Sequence, residues 1–336
     1  MTAASLTLTP PLPAALQVEV TSACNLRCAM CLVRYRPPVN KLAGALPLEL
    51  YRRLVDEVAP LRRLTLQGLG EPLLSPYLLD MVRLAKRRGV AVGFNSNATL
   101  LTRAKADQLV AEGLDWLHVS LDGARADTYE AIRDGADFAK VLANLAGLVA
   151  AKRAAGGDKP WVRVVFVAMR RNVAELPGLV ELMGRLGVQE VRVQNLAHDF
   201  ADTPEDGAYR EIRDYTAAEA LWTGADRAAT AEAFGRARTA AGEHDLELRL
   251  PHLDAGAATG GRCTWPWDAA YVTSAGIVQP CCMVMGDDRV ALGDLNEASF
   301  PTIWAGEPYQ KFRARLASDD NPPDVCRGCA LYQHTF

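Results

Sequence analysis

Eight cysteines occur in the 336 residues, and Cys24, Cys28 and Cys31 stand together as C-x3-C-x2-C directly after the alternating stretch VEVTSA. Three thiolates at that spacing can close on one face of an iron–sulfur cube. Because an all-cysteine cluster takes four ligands, one iron would be left open to chelate a substrate or a cofactor. The competing reading is a zinc knuckle, which needs a fourth ligand nearby. The next His or Cys in the chain is His118, too distant in sequence to complete a knuckle.

A second group holds Cys263, Cys281, Cys282, Cys326 and Cys329. The run YVTSAGIVQPCC has a Gly-centred turn between β-branched segments, so a hairpin should carry Cys281 towards Cys263. Cys326-Arg327-Gly328-Cys329 then supplies a C-x2-C pair. Cys263, Cys281, Cys326 and Cys329 make four thiolates, enough to saturate one cluster or, alternatively, a zinc ribbon. Cys282 is left over as a packed thiol, an alternative ligand or a hydrogen-atom donor, and packing is the simplest of these. Trp265-Pro266-Trp267 either screens the metal loop from water or anchors it as core aromatics.

Composition narrows the class. A hydrophobic content of 49% supports one large domain or two modest ones, and a net charge of −3 gives no electrostatic reason to bind nucleic acid or an anionic membrane. No apolar run is long enough to span a bilayer, and the opening residues lack the pattern of a signal peptide. A cytoplasmic location follows as the expectation. In a reducing compartment, clustered cysteines read as metal ligands rather than disulfides.

The elements that must position these residues read as alternating strands and helices. Strands are predicted at 16–20, 63–68, 90–96, 116–122, 162–168 and 190–196. Helices are predicted at 48–58, 76–88, 103–112, 138–154 and 174–186, several ending at a glycine. This is the pattern of repeated βα units around a parallel sheet, whose C-terminal strand ends gather the active site. Residues 1–14 form an extended lead-in, too short for a separate peptide-binding domain. The alternating strands and helices then occupy 15–197. An Ala- and charge-rich helical linker covers 198–252, and the second cysteine group occupies 253–336.

Two strand ends carry further motifs. Gly68-Leu69-Gly70-Glu71-Pro72 follows the second strand, and Ser120-Leu121-Asp122-Gly123 with Tyr129 and Ile132-Arg133 follows the fourth. Taken alone, each is an ordinary tight turn. Together with the C-x3-C-x2-C loop they resemble the radical SAM superfamily. The region around 263–329, with LGDL at 292–295 and IWAGEPYQKFR at 303–313, resembles its SPASM domain in the shortened, single-cluster twitch form. The resemblance implies an α/β fold: a partial (β/α)6 barrel followed by a small C-terminal iron–sulfur domain. It also implies two [4Fe–4S] clusters and S-adenosylmethionine, which the first cluster cleaves reductively to a 5′-deoxyadenosyl radical.

By the same resemblance, Gly68, Gly70 and Glu71 receive the amino group of the cofactor, Ser120 and Asn97 lie near its ribose, and Arg133 pairs with its carboxylate. Met30 stands where relatives carry an aromatic residue; its thioether can pack against a π face instead. A saturated second cluster suits electron uptake. The resemblance therefore implies an oxidoreductase acting on a small-molecule alcohol, an aminocyclitol or sugar dehydrogenase or an epimerase, served by a reductant such as flavodoxin or ferredoxin. A peptide maturase is the alternative, and a non-catalytic iron–sulfur carrier or sensor lies in another class. Gln67, His118, Arg163, Gln194 and His198 are candidate pocket residues on or after barrel strands.

Overall fold

The computed structural model describes residues 7–35, 44–221, 226–253, 263–284, 288–318 and 321–334. Six parallel strands form its centre: β1 (Ala15–Val18), β2 (Arg63–Thr65), β3 (Ala91–Ser96), β4 (Trp116–Ser120), β5 (Trp161–Val167) and β6 (Glu190–Gln194). They pair in sequence order, each joined to the next by a crossover of the kind parallel neighbours need. Each predicted strand is present, with ends shifted by up to three residues.

Local chemistry explains the connecting helices. Asp137 accepts from the Lys140 backbone N–H at 2.9 Å and starts the helix Phe138–Ala154, and Thr102 caps Arg103–Ala111 in the same way. The helix Leu176–Leu186 stops at Gly187, whose φ of +79° costs a side-chain-bearing residue strain. Strand residues such as Leu16, Val18, Leu64, Val92, Leu117, Val164 and Val191 are buried between sheet and helices. Each fully buried aliphatic contributes about 1.5–3 kcal/mol.

The sheet continues past both expected edges. Residues 198–252 were expected to be helical, and Arg210–Glu219 and Arg227–Glu243 are helices. A strand β7 (Glu247–Arg249) follows them and extends the barrel parallel to β6, an element that the reading as a helical linker does not include. Three residues of alternating polarity are too short a pattern to reveal a strand without its partner. At the opposite edge, β8 (Ala269–Val272) lies parallel to β1, and the hairpin expected around Gly276 joins it to β9 (Ile277–Gln279), with β10 (Gly293–Asp294) outermost. The result is one ten-stranded sheet, β10-β9-β8-β1-β2-β3-β4-β5-β6-β7. The C-terminal region is thus built onto the first barrel strand.

Of the lead-in, residues 1–6 lie outside the described residues, as do 254–262 of the expected C-terminal region. Residues 7–14 run across that C-terminal region. Trp267 Nε1 donates to the Thr7 carbonyl at 2.8 Å, Trp304 Nε1 to those of Pro10 and Pro11, and Arg313 to that of Leu8 at 2.9 Å. Arg313 is fully buried between the rings of Trp304 and Tyr309 and also donates to the Pro266 and Trp304 carbonyls. Burial lowers its pKa to about 10.

Candidate active site

The C-terminal ends of β1 to β4 surround a hollow of about 190 Å³. Its lining includes Cys24, Cys28, Cys31, Gly68, Gly70, Glu71, Asn97, Ser120 and Arg133, so the barrel motifs meet in one place. Close packing dictates the glycines. A Cβ on Gly68 would lie 2.2 Å from the Glu19 side chain, and one on Gly70 would lie 2.1 Å from the Thr21 carbonyl.

Glu71 is 2% exposed. It braces the site, with Oε1 accepting from Ser96 Oγ at 2.7 Å and Leu73 N–H at 3.1 Å, and Oε2 from Asn97 N–H at 2.8 Å. Burial raises its pKa, and these donors pull it back. Asn97 reaches the cysteine loop through Nδ2, 3.0 Å from Asn25 Oδ1 and 3.9 Å from Cys24 Sγ. Arg133 holds the buried Asp122 carboxylate through Nε at 2.7 Å and NH2 at 2.6 Å, while NH1 lies 3.7 Å from Cys28 Sγ. Burial opposes the charge on both partners; for Arg133 it is the largest single effect, but Asp122, Cys28 and Tyr129 together outweigh it and the pKa is raised.

Burial also raises the pKa of Cys24 and Cys28 and pushes Cys31 up to about 12, with neighbouring thiolates adding to the shift at Cys24 and Cys31 and Asp122 at Cys28. Cationic metal would reverse that penalty by binding the thiolates. Among the described residues no group of three or more candidate ligands is drawn in to metal-binding geometry. The fit therefore rests on donor chemistry: three mutually interacting thiols around one hollow, with the Leu26 N–H, Asn97 and Arg133 directed at sulfur.

Sequence reasoning overlooked Glu19. Its buried carboxylate accepts from Leu69 N–H at 2.8 Å, Tyr271 OH at 3.0 Å and Ser274 Oγ at 2.8 Å, clamping the glycine loop to β8 and the turn after it. An acid between two valines of an apolar strand was the available signal.

The second cysteine group assembles from three stretches. Cys281 interacts electrostatically with Cys282, Cys329 and Cys326, and Cys263 with Cys282, Cys326 and Cys329. Burial raises all five thiols, with Cys282 and Cys326 pushed up to about 12 and Cys329 to about 11. Cys281 and Cys326 pack against the main core. Cys282, buried like its neighbours, also lines a second and larger cavity.

That cavity, of about 410 Å³, descends into the barrel. It adjoins the first hollow along Met30, Cys31, Gln67 to Leu69 and Asn95, and Cys282 and Met283 also line it. Gln67, His118, Arg163 and Gln194 line it as anticipated. His198 is not among its lining residues: it is 2% exposed, with Nε2 2.6 Å from the Val325 carbonyl and Nδ1 accepting from Phe200 N–H. Beside it Arg289 pairs with Asp202 at 2.6 Å, lies near the rings of Phe200 and Tyr209, and bears electrostatically on Cys326 and Cys329.

Comparison with known proteins agrees with this arrangement. The radical SAM superfamily model matches residues 18–157, and the SPASM iron-sulfur cluster-binding domain model matches 263–330. The chain is 30% identical to the AdoMet-dependent heme synthase of Methanosarcina barkeri, over 88% of this chain and 83% of that protein. It is 27% identical to a tungsten-containing aldehyde ferredoxin oxidoreductase cofactor-modifying protein of Pyrococcus furiosus, over 94% and 87% of the two chains. It is also 27% identical to the PqqA peptide cyclase of Ruegeria pomeroyi, over 96% and 81%. Streptococcus suis SuiB bound to the precursor peptide SuiA superposes with a TM-score of 0.68 at 14% identity, over 97% of this chain and 71% of that one, a likeness of fold.

The chain belongs to the radical SAM superfamily and carries a C-terminal SPASM domain. It is an enzyme, and its cofactors are a [4Fe–4S] cluster with S-adenosylmethionine and auxiliary iron–sulfur in the SPASM domain. No described helix is long and apolar enough to cross a membrane.

Proposed function

We propose that this protein is a radical SAM maturase that modifies a peptide in the barrel cavity. Cys24, Cys28 and Cys31 hold the first cluster. Gly68, Gly70, Glu71, Asn97, Ser120 and Arg133 frame S-adenosylmethionine, and Cys263, Cys281, Cys326 and Cys329 hold an auxiliary cluster. When bound, the first cluster and S-adenosylmethionine supply hydrogen-atom abstraction. The chain's own contribution is positional. Glu71, Asn97 and Glu19 fix the loops around the hollow, and Arg133 keeps positive charge beside the Cys28 sulfur.

The observation that carries the reading is the continuity of the cavity, which passes from Met30 and Cys31 at the first site to Cys282 and Met283 at the second. A substrate seated there would be within reach of both cysteine sets, the first of which would supply hydrogen-atom abstraction and the second electron uptake once their clusters are bound. Similarity over nearly the full chain to a protein named as a peptide cyclase favours a peptide over the small-molecule alcohol. On this reading the barrel spans 15–197 with β7 as its outer edge, 253–336 forms the auxiliary domain, and a flavodoxin or ferredoxin in the cytoplasm supplies electrons.

The test is co-expression with each short peptide encoded in neighbouring genes, followed by mass spectrometry. A peptide two hydrogens lighter, or otherwise altered only when Cys24, Cys28 and Cys31 are intact, supports the proposal. Unaltered peptides together with turnover of a small alcohol would sink it.

A further inference from the structure

The deeper part of the cavity carries chemistry that neither cysteine site uses. His118 on β4, Arg163 on β5 and Arg192 on β6 line it on three adjacent strands, with His118 in register with Arg163 and Val165 in register with Arg192. Glu190 is 1% exposed and already shared: Oε2 is 2.7 Å from Arg163 NH2 and 3.0 Å from Trp161 Nε1, and Oε1 is 3.2 Å from Arg249. Arg163 Nε is buried and has no acceptor among the described residues, and neither does Asn95 Oδ1 have a donor. Leaving such a group unmatched is unfavourable, so each is a ready partner for a ligand.

Positive charge is concentrated here. Arg163 bears on both Arg63 and Arg192, lowering their pKa values after the larger effect of burial. Burial and the same three guanidiniums press His118 down to about 3, so its ring is neutral at physiological pH. The position also suits an anchor. Arg163 lies four residues below Val167 along β5, about 13 Å from the rim at a strand rise of 3.3 Å. A group held there leaves the remainder of a substrate pointing up towards the cysteine sites.

We propose that Arg163, assisted by His118 and Arg192, binds a carboxylate of the substrate and seats it acid-first at the bottom of the barrel. Arg163 gives NH2 to Glu190 and leaves its buried Nε–H without an acceptor. A carboxylate can be held by that one unmatched N–H together with His118 and Arg192, whereas a phosphate would need more donors. It can be the C-terminal carboxylate of a peptide or an acidic side chain. The inference rests on the reading that this cavity holds the substrate.

The experiment uses anaerobically reconstituted protein saturated with S-adenosylmethionine, so that the carboxylate of the cofactor is already accommodated. Binding is measured by saturation-transfer NMR with N-acetyltyrosine, N-acetyltyrosinamide and N-acetylglutamic acid α-amide. At least one acid should bind about tenfold more tightly than the neutral tyrosinamide, with the advantage shrinking as salt rises. Preference for N-acetyltyrosine assigns a C-terminal carboxylate, and preference for the glutamic acid derivative assigns a side chain. Arg163→Met should erase the advantage and Arg163→Lys should keep part of it, each checked for iron content and far-UV circular dichroism. The acid-to-amide ratio of the unaltered protein decides the matter even if both variants misfold.

Equal binding of acids and amide, binding of none, or full acid preference in a folded Arg163→Met protein overturns the proposal. Acid preference without modification of any peptide removes the maturase reading and leaves this one. Modification of an amide-capped peptide without acid preference does the reverse.

Discussion

On the proposed ligand assignment, the two cysteine sites solve the same ligation problem in opposite ways. Cys24, Cys28 and Cys31 come from one loop, and polar groups crowd the position left open beside them, with Glu71, Asn97 and Arg133 all in the lining. Cys263, Cys281, Cys326 and Cys329 come from three stretches brought together by β8, β9 and the C-terminal turn, and two of them pack directly into the core. A contiguous loop with an incomplete ligand set suits exchange of a cofactor. A dispersed, complete set suits retention, because losing the metal there would expose thiols that belong to the fold.

The largest effect expected from this contrast is on metal content. Replacing Cys24, Cys28 and Cys31 by Ala should remove about half the iron and all cleavage of S-adenosylmethionine, on a one-cluster-per-set assignment. The double variant Cys326→Ala/Cys329→Ala should remove the other half. It should also lower the thermal midpoint further, since it opens part of the core. Iron assays with calorimetry check both, and equal destabilisation by the two sets would erase the distinction.

A smaller effect concerns electrostatics at the retained site. Arg289→Gln removes a guanidinium that bears on Cys326 and Cys329. The auxiliary potential should fall by roughly 50–100 mV while that of the first cluster stays in place. Spectroelectrochemistry with EPR resolves the two, and parallel shifts would show that the sites are not insulated.

The smallest effect lies in the cavity between them. His118 remains neutral in the folded protein down to about pH 3, whereas the unfolded chain takes up the proton near its ordinary value of about 6.5. Stability is therefore fully present above pH 6.5 and falls as pH drops from there towards 3, by about 1.4 kcal/mol at pH 5.5. His118→Gln should remove that share of the acid loss, as read by urea unfolding at pH 7 and 5.5. An unchanged difference between the two pH values would refute it.

Legibility in the sequence follows the same division. The first site was readable because C-x3-C-x2-C, G-x-G-E-P and S-L-D-G each lie within a few residues, and one-strand spacing places them at one end of a sheet. Arg133 shows the limit: its sequence context marks it as functional, yet its bond to Asp122 depends on how the segment after β4 folds back. Cys282 shows the other limit, since neighbouring residues in a non-repetitive turn diverge in direction, one into the core and one into the cavity. β7 and the pairing of β8 with β1 are joins between segments far apart in the chain, and no local periodicity encodes them.

The pairing of β8 with β1 bears on the order in which the protein is made. Until residues 269–272 leave the ribosome, β1 is a sheet edge with unpaired backbone groups, and residues 7–14 lack the Trp304 and Arg313 side chains that later hold them. The cysteine loop that follows β1 is therefore available to cluster-delivery machinery during synthesis. The second set cannot close before Cys329 emerges. Metal loading should then proceed in two waves separated by translation itself, with the first cluster already in reach while the edge beside it still waits for its last neighbour.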